Sequence, residues 1–189
     1  MTTPRLELRN LSKRFGNVIV ADGLDLTVSP NQALGIVGPN GAGKSSLFSM
    51  ISGDLDPDKG TVLLDGADVT RKRADVRAAH GVGRTFQIPR PFEGLTVFEN
   101  VLVFATAAAG LRKDEANRLA ASSLERCGLG DLANQPAGAL GLLDRKRLEV
   151  ARALGSDPQL LLLDEVAGGL TDPEVALLVD LVNSLKSDG

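Results

Sequence analysis

The sequence predicts an α/β fold, in which strand-rich segments alternate with helices. Three observations support this prediction. Apolar residues alternate in "RLELRNL" and "GLDLTV", as they do in half-buried strands. Two short apolar runs, "ALGIVG" and "QLLLLDE", have the composition of buried strands. Between these blocks, roughly over residues 89–155, three helical patterns follow one another, which predicts an inserted helical subdomain.

Local signals set the ends of the first helices. The helix through "KSSLFSMIS" is expected to close at Gly53, and "GTVLLDGADV" predicts a strand followed by a turn. Thr96 and Glu99 have the spacing of a capping box, so the first helix of the middle block is expected to begin there. The second helix, "KDEANRLAASSLERC", is expected to end at Gly128.

Two later helices are expected to begin at aspartates. The helix "DRKRLEVARAL" is predicted to have Asp144 as its N-cap and to end at Gly155. The helix in "TDPEVALLVDLVNSLKSDG" is predicted to have Asp172 as its cap, Pro173 in its first turn and Gly189 at its end. An α/β sheet normally continues with another strand after such a helix, and the sequence shows none.

The composition disfavours several classes of protein. Of 189 residues, 43% are hydrophobic, which is enough for a single-domain core. The net charge of −3 and the absence of Trp and Tyr argue against a nucleic-acid-binding surface. The amino terminus has no signal-peptide pattern, and the apolar runs are too short to span a bilayer. A single cysteine is compatible with a reducing, cytoplasmic setting, so any membrane role is expected to come through a partner.

The segment "GPNGAGKS", Gly38 to Ser45, fits the phosphate-binding pattern G-x-x-x-x-G-K-[ST]. Glycines let the backbone approach phosphates closely, and the amino end of the following helix favours an anion. Lys44 is expected to reach the β- and γ-phosphates of a nucleotide, and the Ser45 hydroxyl to bind Mg²⁺. The alternative is a glycine turn before a core helix.

Two acids follow the apolar run Leu160 to Leu163. Asp164 is expected to lie at the carboxyl end of a buried strand, where open α/β sheets bind ligands, and to hold Mg²⁺ directly or through water. Glu165 is expected to orient or deprotonate the attacking water. Two solvated acids at a strand end are the alternative. No guanine-reading Asn-Lys-x-Asp sequence occurs, which disfavours a GTPase, whereas a small-molecule kinase stays open.

Taken in order, these motifs resemble the ATP-binding subunits of ABC transporters. The order is "VGPNGAGKSS", "GRTFQIPRPFEGLTVFENV", "RKRLEVARAL" and "LLLLDEVAGGL", and the similarity covers essentially the whole sequence. The pattern RTFQ-P-F-LTV-ENV in the second motif and RKRLE-ARAL in the third are most like the branched-chain amino acid importer ATPases. The resemblance implies a P-loop NTPase core of the ABC ATPase type with an N-terminal antiparallel β subdomain. Residues 1–88 and 156–189 would form this core, and residues 89–155 the helical signature subdomain.

The resemblance supplies further roles. Phe15 lies where an aromatic ring stacks on adenine; a core position between two strands is the alternative. Gln87 lies in the segment similar to the Q-loop, which senses Mg²⁺ and the attacking water and couples to the membrane subunits. The implied nucleotide contacts are Phe15, Gly38, Pro39, Asn40, Gly41, Ala42, Gly43, Lys44, Ser45 and Ser46; the implied Mg²⁺ ligands are Ser45, Gln87 and Asp164; the implied catalytic residues are Glu165, Gln87 and Lys44.

Other positions leave two interpretations open. Phe86, Phe92 and Phe98 either line the groove that receives a coupling helix of the membrane subunit or form the core of the helical insert. Asp172 lies in the region similar to the D-loop, which touches the other subunit, and is equally well placed as a helix cap.

The sequence departs from the family pattern in its signature loop. Leu140, Gly141, Leu142, Leu143 and Asp144 stand where Leu-Ser-Gly-Gly-Gln is usual. In the family this loop faces the γ-phosphate bound by the opposite subunit. Leu143 adds bulk and Asp144 adds negative charge there, which predicts weaker support of that phosphate, although a variant of this kind is known in the branched-chain subgroup.

The second departure is at the carboxyl end. The strand and the switch histidine that the family places after the last helix are missing, and the only histidine, His80, lies upstream of the Q-loop and is not a candidate for that role. We therefore expect a C-terminally incomplete ATPase domain, whether truncated or a natural variant, with weak activity on its own.

The resemblance implies an ATP-hydrolysing subunit that uses ATP and Mg²⁺ to power a membrane importer, with branched-chain amino acids as the expected substrate class. Its expected partners are a second nucleotide-binding subunit, like or unlike, integral membrane permease subunits and, indirectly, a solute-binding protein, with no nucleic acid. It would lie in the cytoplasm, on the inner face of the membrane. One alternative is an ABC-type protein that dimerises on ATP with little hydrolysis. Another is a soluble ABC ATPase acting on DNA or ribosomes, against which the short helical insert argues.

Overall fold

The computed structural model describes residues 3–86 and 88–187, which form two compact units divided between His80 and Gly81. The α/β class predicted from the sequence is confirmed. The elements of the first unit are β1 Leu6–Phe15, β2 Val18–Val28, α1 Lys44–Ser52, β3 Lys59–Leu64, β4 Ala67–Asp68 and α2 Ala74–Ala79. Those of the second are β5 Val82–Arg84, α3 Val97–Ala107, α4 Lys113–Arg126, α5 Leu142–Leu154, β6 Leu160–Leu162 and α6 Asp172–Ser187, with short 3-10 helices at Gly130–Leu132 and Ala137–Ala139.

The first unit is built on an antiparallel sheet with the strand order β2-β1-β3-β4. The alternating leucines of β1 set its register: Leu6 pairs with Val28 on one side and Leu64 on the other, and Leu8 is buried like Leu6. This confirms the alternation in the sequence, because residues two apart share one face of a strand. The antiparallel β region at the amino terminus is therefore present.

Helix α1 begins and ends at glycines in the left-handed conformation. Gly43 and Gly53 both have φ of 88°, and the Gly53 amide donates to the Ser49 carbonyl at 3.0 Å. Leu47, Met50 and Ile51 bury the inner face of the helix. The predicted helix and its closure at Gly53 are confirmed.

The predicted strand "ALGIVG", over residues 33–38, is wrong. Residues 32–39 form no strand, Val37 is 94% exposed, and Leu34 is 46% exposed. A strand needs a neighbour that pairs with its backbone groups, and no strand in the described part of the chain pairs with this segment. An apolar run indicates that a segment is suited to burial, but it does not show which strand would pair with that segment.

The second unit packs its helices around one cluster of buried side chains. The cluster contains Val97 and Val101 of α3, Leu124 of α4 and Leu148 of α5, together with residues of α6. The capping box of α3 is confirmed: the Thr96 hydroxyl accepts from the Glu99 amide at 3.1 Å, and the Thr96 amide donates to Glu99 Oε2 at 2.8 Å. Helix α4 closes through Gly128 at φ of 67°, as predicted.

The start of α6 differs from the prediction. Asp172 is the first helical residue, and the cap is Thr171, whose amide and hydroxyl both donate to Glu174 Oε2, at 2.8 and 2.7 Å. Thr171 takes this role because Glu174 lies three residues after it, the spacing of a reciprocal cap. The predicted end at Gly189 lies outside the described residues.

Strands β5 and β6 form a parallel pair in which Val82, Gly83 and Arg84 lie opposite Leu160, Leu161 and Leu162. The Thr85 amide extends the ladder by donating to the Leu162 carbonyl at 2.9 Å. Strand β6 ends at Leu162, so Asp164 and Glu165 lie just after the carboxyl end of this strand.

Candidate nucleotide-binding site

The phosphate loop in the first unit is shaped by glycine and by Lys44. Gly41 and Gly43 have φ of 82° and 88°. A Cβ atom at Gly43 would overlap the Val20 carbonyl oxygen, so only glycine fits there. Lys44 Nζ donates to the carbonyl oxygens of Gly38 and Pro39, at 2.7 and 2.9 Å. The lysine therefore folds back over the loop and holds its ammonium group where an anion would approach the loop.

The rest of the loop is open to solvent. The exposed members are Gly38, Pro39, Asn40, Gly41, Ala42 and Ser45, while Gly43, Lys44 and Ser46 are half-buried. The Ser45 carbonyl accepts from Ser49 Oγ at 2.9 Å, as expected inside the first turn of α1. The structure thus places the predicted phosphate contacts together at the amino end of α1, where the helix dipole favours an anion. The helical context of the motif is present, whereas its strand is not.

Phe15, the predicted adenine platform, lies at the end of β1. It is 50% exposed, and Lys13 Nζ lies 5.4 Å from the centre of its ring. A core position is therefore wrong, and the ring has a face available for stacking.

The acidic pair lies in the second unit, just after β6. Asp164 is 5% exposed; its amide donates to Thr85 Oγ1 at 3.1 Å, and Arg84 Nη2 donates to its Oδ2 at 3.4 Å. Buried carboxylates need such a counter-charge, because burial without a partner costs several kcal/mol. Sequence reasoning missed Arg84, whose only signal was that it is the basic last residue of β5.

Glu165, the predicted water-orienting residue, is exposed and has φ of 47°. A non-glycine residue in this region is uncommon, and Asn10, Asn31, Asp65 and Asp157 also adopt it. Its carbonyl accepts from Lys146 Nζ at 3.4 Å and from the Gly168 amide at 3.0 Å. Lys146 is buried although it is charged, and no local pattern indicates its contact with this carbonyl.

Gln87, predicted as both a Mg²⁺ ligand and a catalytic residue, lies outside the described residues. Across residues 3–86 and 88–187, no group of three or more His, Cys, Asp or Glu side chains is arranged to hold a metal ion. The prediction does not depend on such a group, because its ligands, Ser45, Gln87 and Asp164, offer one hydroxyl, one amide oxygen and one carboxylate. These are the hard oxygen ligands that suit Mg²⁺.

The signature loop corrects one prediction. Helix α5 begins at Leu142 with Gly141 as its N-cap, and Asp144 lies inside the first turn, accepting from Arg147 Nη1 at 3.4 Å. Asp144 is therefore not the cap; an acid in the first turn is instead favoured by the helix dipole. Leu140 is buried in the core and Leu142 is 45% exposed.

Arg145 holds the main chain just before α5. Its Nε donates to the Leu140 carbonyl at 2.9 Å, and its Nη2 donates to the Gly138 carbonyl at 2.8 Å. Arg145 is half-buried and Lys146 is buried, although both are charged. Both side chains hold main-chain carbonyls.

The three phenylalanines near the Q-loop divide between the two interpretations. Phe86 and Phe92 are 55% and 45% exposed, and Ile88 is 65% exposed. Phe98 instead packs against the helical core.

His80 caps the carboxyl end of α2, where its Nδ1 lies 2.7 Å from the Val76 carbonyl oxygen.

A phosphate loop at the start of a helix, with an acidic pair after a strand, is typical of the class of P-loop nucleotide-binding proteins. The comparison with known families is more specific: the model described as "ABC transporter" matches residues 21–168. The chain belongs to this family and is an ATPase subunit of a transporter. None of the helices in the described ranges is long and apolar enough to span a bilayer.

The chain is similar to curated proteins of differing transport function. It is 36% identical to the high-affinity branched-chain amino acid transport ATP-binding protein BraF of Pseudomonas aeruginosa, covering 100% of this chain and 79% of the relative. It is 35% identical to the high-affinity branched-chain amino acid transport ATP-binding protein LivG of Escherichia coli, covering 99% of this chain and 79% of the relative. It is also 31% identical to the lipopolysaccharide export system ATP-binding protein LptB of Haemophilus influenzae, over 97% and 76%.

Solved structures show the same architecture. The ADP conformation of MJ1267, an ATP-binding cassette of an ABC transporter, matches with a TM-score of 0.90 and 30% identity, over 100% of this chain and 79% of that one. CbiO1 of Clostridium perfringens, part of the transporter complex cbiONQ, matches with a TM-score of 0.87 and 26% identity, over 98% and 75%. The predicted ABC ATPase fold is therefore confirmed.

Proposed function

We propose that the chain binds ATP with Mg²⁺ and hydrolyses it to power an importer of branched-chain amino acids. The observation that carries the proposal is the phosphate loop, in which Lys44 covers two loop carbonyls and Gly43 permits close packing on Val20. The substrate class is supported by the relatives BraF and LivG. LptB, which is 31% identical, belongs to an export system, so relatives at this level of identity differ in what they transport.

The motif residues divide the chemistry between them. Lys44 would exchange its bonds with Gly38 and Pro39 for the β- and γ-phosphate oxygens, so its charge is available without desolvating a new group. Ser45 and Asp164 would hold Mg²⁺, with Gln87 as a further ligand, and the bound ion would neutralise phosphate charge. Glu165 would orient the attacking water for in-line displacement.

The partners follow from the family. A second nucleotide-binding subunit, like or unlike, would present its signature loop to the γ-phosphate bound here, and permease subunits would receive the motion of the closing dimer. The chain would then lie on the cytoplasmic face of the membrane, with a solute-binding protein acting only through the permease. CbiO1, described as part of a transporter complex, supports such an assembly.

A second candidate is a protein that binds ATP and dimerises but hydrolyses little. The observation that favours it is the signature loop, where Gly141 caps α5 without a side-chain hydrogen bond and Leu143 and Asp144 occupy the first turn. We propose slow turnover for the 189-residue chain alone in either case. Turnover at about 1 s⁻¹ or faster, the lower end of ordinary enzyme rates, would contradict this.

The experiment compares the chain with Lys44→Met and Glu165→Gln. Calorimetry with ATP and Mg²⁺ should show binding to the chain and to Glu165→Gln, and a loss of affinity of at least about tenfold for Lys44→Met, which lacks the charge on the phosphates. Hydrolysis that Glu165→Gln abolishes supports the ATPase; binding with no hydrolysis in either protein supports the second candidate. No heat with any of the three proteins contradicts both. Uptake of labelled leucine by vesicles containing the permease tests the substrate class.

A further inference from the structure

The segment that follows Gln87 is bonded to α5 by a buried ion pair. The Arg90 amide donates to Glu149 Oε1 at 3.1 Å, and Arg152 Nη1 donates to the Arg90 carbonyl at 2.9 Å. Glu149 and Arg152 also bond to each other, and both are buried, at 4% and 8% exposure. The Glu149–Arg152 ion pair thus bonds both the amide and the carbonyl of Arg90, although the Arg90 residue is exposed.

The Arg152 guanidinium also lies between two aromatic rings. It is 5.2 Å from the centre of the Phe92 ring and 4.8 Å from that of Phe104. Arg152 Nε has no hydrogen-bond partner in the described part of the chain, so cation–π contact with the rings replaces part of the lost solvation. Arg152 therefore joins α5, α3 and the segment at Phe92.

Asn100 of α3 holds the same segment two residues further on. Its Oδ1 accepts from the Phe92 amide at 2.8 Å, and its Nδ2 donates to the Phe92 carbonyl at 3.0 Å and to the Thr96 carbonyl at 2.9 Å. Asn100 is fully buried. The main chain at Arg90 and Phe92 is thus held from two helices by buried side chains.

The fixed segment carries an apolar surface. Ile88 and Phe92 are 65% and 45% exposed, and Phe86 just before Gln87 is 55% exposed. The outer part of Phe92 belongs to this surface, while the ring contacts Arg152. The apolar surface and α5 are thus joined through the Phe92 ring and the Glu149–Arg152 ion pair.

We propose that Glu149 and Arg152 are positioning residues that make α5 move together with the segment at residues 90–92. The inference rests on the proposed function, since the load would come from a permease subunit that presses on the exposed apolar side chains. Helix α5 begins at the signature loop, so a shift of the segment would alter that loop's position. The pair would then set how strongly the permease controls hydrolysis, without touching the nucleotide.

The test uses the chain assembled with its permease in vesicles. The variant is Glu149→Gln combined with Arg152→Met, because removing one member alone would leave an unpaired buried charge. Arg118→Met is the control, since it removes an exposed arginine of α4, away from both the segment and the signature loop. We expect stimulation of ATPase by the permease to fall by about fivefold or more in the double variant, the size of an ordinary coupling, and to persist in the control.

Two readouts separate positioning from general damage. The ATP dissociation constant should change by less than about twofold, as expected for a site remote from the substitution. Hydrogen exchange at the Arg90 amide, which donates to Glu149, should accelerate by about tenfold or more through local opening, while core amides of α4 keep their protection. Arg152→Lys, which keeps the charge and loses the flat contact with two rings, should give an intermediate loss of stimulation.

Stimulation equal to that of the unmodified chain in both the double variant and Arg152→Lys would overturn the inference. If the double variant fails to fold, Arg152→Lys alone decides in the same way. A chain that binds no ATP, or an unmodified assembly that the permease does not stimulate, would instead contradict the proposed function. The two failures are therefore distinguishable.

Discussion

Arg77 donates a hydrogen bond from Nη1 to the Met50 carbonyl oxygen at 2.6 Å, and so joins α2 to the carboxyl end of the phosphate-loop helix. The same guanidinium reaches the carbonyls of Ile51, Thr70 and Lys72, each at 2.9 Å. Arg77 is fully buried, and burial lowers its pKa from the ordinary arginine value. A cation at this end of a helix is favoured by the dipole and by carbonyls that have no partner within the helix.

Replacing Arg77 by Met should lower the free energy of unfolding by about 3 kcal/mol or more, because several buried carbonyls lose their donor at once. Urea unfolding measures the loss. Arg73→Met is the control: its side chain is 86% exposed, so its effect should stay within about 0.5 kcal/mol. Equal stabilities for the two variants would show that Arg77 does not hold α1.

Gly43→Ala should abolish measurable ATP binding, or weaken it by about a hundredfold, because the loop can no longer close on Val20. The added Cβ would overlap the Val20 carbonyl oxygen, and φ of 88° is strained for alanine. Gly35→Ala is the matched control, since its Cβ would meet no atom within 4 Å. Calorimetry that finds similar affinities for both variants would contradict the proposed packing.

The degenerate signature can be tested one residue at a time. Gly141→Ser should be accommodated, because a Cβ there meets no atom within 4 Å and φ is −67°, and a serine N-cap should stabilise α5 by a few tenths of a kcal/mol relative to glycine. Leu143→Gly should cost about 1 kcal/mol of helix stability.

The double variant Gly141→Ser with Leu143→Gly should raise ATPase in the assembled dimer by at least about threefold, since a hydroxyl and a close backbone would support the γ-phosphate. Steady-state rates at saturating ATP measure this. The Gly141→Ser chain alone serves as the control for helix stability. An unchanged rate in a dimer that still forms would show that the natural loop is not limiting.

The capping box of α3 should make stability sensitive to acid. The Thr96 backbone amide, and then its hydroxyl, lower the pKa of Glu99 below the ordinary value. A lowered pKa in the folded state means that the stabilisation is complete above the unfolded pKa of about 4.3 and is lost as the pH falls through the folded value. Glu99→Gln should therefore lose less stability than the unmodified chain when the pH falls below about 4.5.

Urea midpoints at pH 6 and pH 3.5 measure the difference. Glu115→Gln provides the comparison, because α4, in whose first turn Glu115 lies, has no side-chain cap. Identical pH dependence for Glu99→Gln and the unmodified chain would argue against the capping box as a source of acid sensitivity.

Interactions between residues close in sequence could be predicted. The helix at Lys44, its closure at Gly53 and the capping box at Thr96 depend on backbone conformations and side chains within a few residues, so their patterns identify them. The motif residues of the candidate site were found in the same way, because glycine spacing and an acid after an apolar strand are local features. The starts of α5 and α6 differ from the prediction, because Asp144 and Asp172 already lie in the first turns, after Gly141 and Thr171.

The sequence by itself determined the phosphate loop, the acidic pair, the helices and the α/β class, since each is specified by short-range backbone preferences and by polarity. Only the tertiary structure decided that residues 33–38 have no strand neighbour in the described chain. It also decided that Arg84, Lys146 and Arg152 donate to Asp164, to the Glu165 carbonyl and to Glu149, respectively. The physical reason is that a buried charge or a strand is stable only when a distant segment supplies its partner, and no local pattern names that segment.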